Sequence, residues 1–263
     1  MAFLDSVPFW VIFAGTMVLV LATMEAGRLL GTFHRRRSPR ERESATEVIT
    51  TGLISLTSFF LAFTFGMVAD RYQSRVALVR EDAEALRTAY LRTGLLEEPQ
   101  RSRARALLRQ YLDERIQIVA AGDVDPGHVT RERHRLQAIQ QALWSGGIAG
   151  NPASADSGFT IMYLESLDDV FAVDARRWAV GYQSRLPGGV WGLLAALSTL
   201  GMFGIGFLVA GAGKGRSPLT PVLASAIAVI ITLIAALDRP NGRIHISQKP
   251  LLELRAAIAE QGG

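Results

Sequence analysis

Phe59 and Phe63 stand four residues apart in an uncharged stretch, with Ser55 one turn before them and Met67 one turn after. In a helix, residues four apart lie nearly above one another, so Ser55, Phe59, Phe63 and Met67 form one stripe. Aromatic rings carry a positive edge. A ring of benzyl groups gathered around an axis can therefore tolerate a passing anion while keeping bulk water out. A neighbouring stripe of small side chains, Ser58, Ala62 and Gly66, permits the close helix approach that packing in lipid requires. Pore lining for the large stripe and helix packing for the small one are the expectations these spacings raise. Periodicity also allows the phenylalanines to face lipid or a bundle core.

Other candidate groups offer less. His128 and His134 are six apart, which does not place them on one helix face, and no third ligand follows at metal spacing, so no metal site is expected. Gly201, Gly204 and Gly206 lie in an apolar run without the Lys or helix start of a phosphate loop. Gly188 and Gly192 form a small-xxx-small pair that reads as helix packing. Asp168, Asp169 and Asp174 read as the solvated face of an amphipathic helix. Cysteine is absent, which removes thiolate chemistry and cysteine metal sites. No reacting constellation is recognisable, so neither enzymatic activity nor a cofactor is expected.

The elements that must position these residues are set by four charge-free stretches: Ser6 to Met24, Val48 to Ala69, Leu186 to Gly213 and Ser217 to Leu237. Each reaches the ~20 residues needed to cross ~30 Å of hydrocarbon. Inside lipid every backbone amide must bond within its own segment, so such runs predict transmembrane helices. With 49% hydrophobic and 20% charged residues, the chain is part membrane and part water. The first stretch lacks a basic n-region and is long for a cleaved signal, so it is expected to remain as a helix. Glu25 and Arg28, three apart near its end, can pair across one turn.

The expected fold is an all-α membrane protein with four transmembrane helices in two hairpins flanking a helical extramembrane domain. The boundaries read as helix one over 6–30, a basic loop over 31–47, helix two over 48–70 and the extramembrane domain over 71–187. Helix three follows over 188–213, helix four over 218–237 and a tail over 238–263. No proline interrupts helix two, and Val76, Val79, Ala83, Leu86 and Tyr90 continue it as an amphipathic rod into the domain. Leu108, Leu112, Ile116 and Val119 mark a further helix after Pro99, closed by Gly122 and a turn over 123–127. Thr130 is read as the cap of a short helix to Trp144, and 145–158 as a loop. Ile161, Leu164, Leu167, Phe171, Ala175, Trp178 and Tyr182 mark the next helix. Arg243 to Ser247 alternates like a short strand, and a tail helix is expected from Pro250.

The net charge of +4 does not predict nucleic-acid binding, because acidic and basic residues nearly balance between Arg71 and Arg185. The local excess is Arg28, Arg35, Arg36, Arg37, Arg40 and Arg42, just after helix one. Such a cluster marks a cytoplasmic, anionic membrane surface, which would place both termini and the extramembrane domain outside. The expected location is a cell membrane.

The order Ser58-Phe-Phe-Leu-Ala-Phe63 followed by Asp70-Arg-Tyr72 resembles the second transmembrane helix of bestrophins. Arg71-Tyr-Gln-Ser-Arg75, Glu81-Asp-Ala-Glu-Ala85, Tyr111 to Arg115 and Asp238-Arg-Pro240 extend the similarity to the bestrophin-like group of bacterial membrane proteins. This resemblance implies a pentameric channel for a small anion such as chloride. It further implies that Phe59 and Phe63 project into a narrow neck and Arg71 supplies a charge at the pore end. Tyr72 departs from the usual Trp, and no acidic cluster near the second hairpin resembles the calcium clasp of animal bestrophins. Bestrophins hold the corresponding domain in the cytosol, opposite to the orientation that the arginines after helix one suggest. A non-conducting, membrane-anchored helical scaffold or sensor that binds a partner protein is the alternative.

Overall fold

The computed structural model describes residues 7–37, 43–121, 126–149, 158–180, 186–211, 219–239 and 246–260. All regular elements among them are helices: α1 Phe9–Arg37, α2 Glu43–Arg92, a 3-10 turn Thr93–Leu95, α3 Gln100–Ala121, α4 Pro126–Ala149, α5 Gly158–Trp178, α6 Gly188–Gly211, α7 Thr220–Asp238 and α8 Lys249–Glu260. Four of these, α1, α2, α6 and α7, are long and apolar enough to cross a membrane. The all-helical, two-plus-two architecture is therefore the one expected. The chain divides into two compact units, one of 1–72 with 185–242, the other of 73–184 with 243–263. Helix α2 runs unbroken through the boundary, 50 residues without a proline or an internal cap.

In the first unit the tightest packing is between α1 and α6. A Cβ on Gly27 would collide with the Phe203 carbonyl, one on Gly31 with the Phe207 carbonyl, and one on Gly206 with the Met24 carbonyl. Backbone thus meets backbone on both helices, the arrangement that lets van der Waals contact drive association where lipid removes the hydrophobic incentive. Gly192 does not serve this purpose within the chain, since a Cβ there would meet nothing within 4 Å. On α6 it is Gly206 that packs against α1, with Gly27 and Gly31 as its counterparts, while Gly201 and Gly204 instead approach Thr57 and Thr50 of α2. Gly27→Val is expected to cost about 1–3 kcal/mol through forced helix separation. Gly15→Val, where a Cβ meets nothing within 4 Å, serves as control. Thermal unfolding of the two variants in detergent checks this; equal melting would contradict it.

Helix α1 continues to Arg37, and α2 begins at Glu43, so the segment expected as a basic loop over 31–47 is helical at both ends. Apolar length alone underestimates such helices, because arginine is a good helix former and continues the turn into water. Residues 38–42 lie outside the described part. Glu25 and Arg28 pair across a turn at 2.8 Å, as their spacing allows.

The second unit has a single apolar core. Val79, Ala83, Leu86 and Tyr90 of α2 meet Leu108, Tyr111, Leu112 and Ile116 of α3, with Leu136 and Leu143 of α4, Leu167 and Val170 of α5, and Leu251 and Leu254 of α8. Helix α4 starts at Pro126 and ends at Ala149, longer at both ends than the Thr130–Trp144 helix expected. The start follows from proline's fixed φ, which suits a first helical position. Ser145 is helical, its hydroxyl donating back to the Gln141 carbonyl at 2.8 Å. The alternation over Arg243–Ser247 falls mostly outside the described residues, and Ile246–Gln248 has no regular structure.

Helix α5 is rotated from its expected setting. Tyr163, Leu167, Val170 and Val173 are buried, while Ile161 and Met162 are exposed. The cause is polar. Asp174 is half-buried and pairs with Arg115, so the face turned inward carries a carboxylate that an apolar count leaves out. Asp168 and Asp169 are exposed, but Asp174 is not part of a solvated face.

Candidate functional site

Along the membrane part of α2, burial within the chain follows Thr57, Leu61, Thr64 and Val68. The Thr57 hydroxyl donates to the Leu197 carbonyl of α6 at 3.0 Å. Leu61 and Val68 join a cluster with Leu194 of α6 and Ile231, Ile234 and Leu237 of α7. The helix is thereby fixed in rotation, and the opposite face is turned away from its own chain. That face carries Ser55, Phe59 and Phe63: Phe59 is 65% and Phe63 55% exposed, and their rings stack with centroids 6.2 Å apart at 13°.

The remaining residues of the large stripe turn away progressively. Each step of four residues advances about 40° beyond a full revolution, so Met67 is already half-buried. Arg71 lies roughly 120° around the helix from Phe59. Its guanidinium is 3.9 Å from the Asp238 carboxylate at the end of α7. Asp238 in turn accepts a 3.0 Å hydrogen bond from the Leu186 amide before α6. The arginine expected as a pore-end charge thus points toward an ion pair within the unit. Asp70 instead lies within about 20° of Phe59 and is exposed. Spacing by fours alone misses Asp70; stepping from Phe63 by three and then four residues, through Gly66, finds it.

Ser58 and Ala62, expected to pack against a neighbouring helix, are exposed. They line an apolar groove of about 440 Å³ between α2, α6 and α7, together with Phe65, Gly201, Ile205 and Ile227. Gly66 likewise faces open space. Among the described residues no three His, Asp or Glu side chains gather at metal-binding distance, and His134 is exposed.

A second constellation lies in the other unit and was not visible as a motif. Asp82, fully buried, accepts from Arg115 of α3 at 3.1 Å and from Arg177 of α5. Arg115 also pairs with Asp174, which accepts from Gln140 of α4 at 3.0 Å. Gln140 reaches the Tyr111 hydroxyl at 3.2 Å. The attraction of Asp82 and Asp174 for Arg115 outweighs its desolvation and raises its pKa, while burial and the nearby Arg115 charge lower that of Arg177. Two cations and two carboxylates balance here, joining four helices through one buried network.

Four apolar helices, one of them carrying an exposed aromatic face, define an integral membrane protein of the bestrophin fold. The family model described as Bestrophin-like domain matches residues 15–251, and the chain belongs to the bestrophin-like family. Its fold is similar to that of a bacterial bestrophin homologue from Klebsiella pneumoniae carrying a point mutation, with a TM-score of 0.68 at 14% identity over 95% of this chain and 99% of that one. A second mutant of the Klebsiella pneumoniae homologue gives a TM-score of 0.65 at 13% identity, again over 95% and 99%. A solved membrane protein with another point mutation gives 0.67 at 14%, over 95% and 99%. No curated protein matches the chain.

Proposed function

We propose that this protein is an oligomeric ion channel in which copies of α2 surround a common axis, with Phe59 and Phe63 forming a narrow aromatic neck. The observation that carries this reading is the exposure of both rings, stacked on a face of α2 that its own chain leaves uncovered. Four helices of a single chain can hardly enclose a water-filled path, so conduction requires several copies. Ser58 and Ala62 flank the aromatic face beside the 440 Å³ groove. A neighbouring copy of the chain seated there would bring small residues into close contact and turn the phenyl rings inward. Family membership supports the channel reading, and a pentamer in a bacterial inner membrane is the assembly it favours.

A small anion such as chloride is the permeant species proposed, stabilised by the positive edges of the rings. Arg71, paired with Asp238, would hold α2 against the end of α7 instead of presenting a free charge to the neck. Asp70, on the aromatic face, opposes it by adding negative charge at one end of the neck. The test is reconstitution of the full chain in liposomes with measured chloride and sodium flux, beside native mass spectrometry of the assembly. Flux of chloride by an oligomer, rising relative to sodium in Asp70→Asn, is expected. A monomer without flux would instead favour the membrane-anchored scaffold.

A further inference from the structure

The second unit carries a basic ladder on α3 that its own chain positions without neutralising. Arg101, Arg105 and Arg109 stand four residues apart, about 6 Å per step along the helix, and no acidic residue occurs between Pro99 and Leu112. Each guanidinium is held by a neutral acceptor. Arg101 donates to the Leu96 carbonyl at 2.9 Å, Arg105 to the Thr93 hydroxyl at 3.1 Å and Arg109 to the Tyr90 hydroxyl at 2.9 Å. Arg105 and Arg109 also lie over the Tyr90 ring, 5.5 and 5.9 Å from its centroid. Among the described residues the ladder's one ion pair is Arg101 with Glu98 at 4.0 Å, and that carboxylate also accepts from the Ser102 hydroxyl at 2.7 Å.

Helix α5 carries the opposite charge in the same unsatisfied state. Glu165, Asp168 and Asp169 fall within about 100° of arc and are all exposed, as are Ile161, Met162 and Ala172 on the same side of the helix. None of the three carboxylates makes a hydrogen bond or ion pair among the described residues. Arg176, two turns beyond Asp169, is already taken by Glu81 at 3.2 Å. Like charges three and four residues apart destabilise a helix, so both faces carry a repulsion that only opposite charge from outside the unit relieves.

We propose that the arginine ladder of α3 docks on the acidic face of α5 in a second copy of this chain. The contact rests on the oligomeric reading above and names one surface that assembles it. Three cations meet three carboxylates, and the exposed Ala106 beside the ladder and Ala172 beside the acids leave the long arginine side chains room to reach across. A foreign polyanion would answer the ladder and leave the α5 acids unmatched. A second copy answers both, because two different faces of one chain in contact make a heterologous interface that can repeat around a closed ring. Charge pairs of this kind set register and exclude wrong partners.

Sedimentation of the full chain in detergent over a dilution series measures the contact. Arg105→Glu with Arg109→Glu, and separately Asp168→Arg with Asp169→Arg, are each expected to raise the concentration at which the assembly dissociates roughly tenfold, because like charges then face each other. All four substitutions in one chain should restore it, since every junction again joins opposite charges. Asp168 and Asp169 are exposed, so their reversal should leave thermal unfolding unchanged. Arg109→Glu alone, at the exposed end of the ladder, replaces the arginine pair should that variant fail to fold. A wild type that sediments as a monomer throughout would overturn both the contact and the oligomeric channel. An oligomer unmoved by either reversal, or reversals that their combination does not rescue, would overturn the contact alone. So would polyglutamate captured by the wild type and not by the arginine variant while assembly is unmoved, which would give the ladder to a foreign acidic partner.

Discussion

Phe59→Ala and Phe63→Ala, reconstituted in liposomes, are expected to raise chloride flux several-fold over the wild type, with the double variant highest. Each substitution removes a benzyl group from the uncovered face of α2, so the proposed neck would widen and wet, lowering the barrier that an apolar constriction imposes. The stacked rings lie one turn apart, so removing one leaves the other as a partial restriction and the two effects should not simply add. Folding should be little affected, because the rings face away from the chain's own core. Phe60→Ala provides the contrast: this side chain packs against the α2, α6 and α7 cluster, and its loss should reduce stability instead of opening the path. Unaltered leakage in both neck variants would argue that the rings face acyl chains.

Asp82→Ala is expected to cost the extramembrane unit about 3–5 kcal/mol, because it removes the carboxylate partner of the buried Arg177 and leaves Arg115 with Asp174 alone. Asp82 is fully buried between them, so water cannot take over the lost charge. Its removal should therefore exceed the effect of deleting Glu81, whose pair with Arg176 is half open to solvent. Thermal unfolding followed by circular dichroism measures the loss. A quadruple variant, Asp82→Leu and Asp174→Leu with Arg115→Met and Arg177→Met, should recover most of it, since exchanging a whole buried ion network for apolar side chains is often neutral or stabilising. A wild-type melting temperature for Asp82→Ala would show that the arginines find water or other partners.

These two sites differ in how far the sequence reveals them. The aromatic face was legible because helical periodicity places Phe59 and Phe63 together whatever else the fold does. The same is true of the four crossings, whose length and lack of charge answer to the bilayer alone. The Asp82 network was not legible. Asp82 sits within Arg80-Glu-Asp-Ala-Glu84, where alternating charge reads as solvated surface, and its partners are 33 and 95 residues away. Only tertiary packing reveals which carboxylate is inside. Arg71 illustrates the converse, since it continues the four-residue stripe on paper. Helical drift and Asp238 together carry it off that stripe.

The glycine contact between α1 and α6 bears on how the protein is made. Gly27 leaves the ribosome long before Phe203, its neighbour across the helix crossing. The interval of about 180 residues corresponds to roughly ten to forty seconds at ~5–20 residues per second. For that time the notch at Gly27 and Gly31 can be filled only by acyl chains or an insertion factor. The nascent hairpin must therefore wait in the bilayer for its mate, and substitutions at these glycines would delay or misdirect assembly.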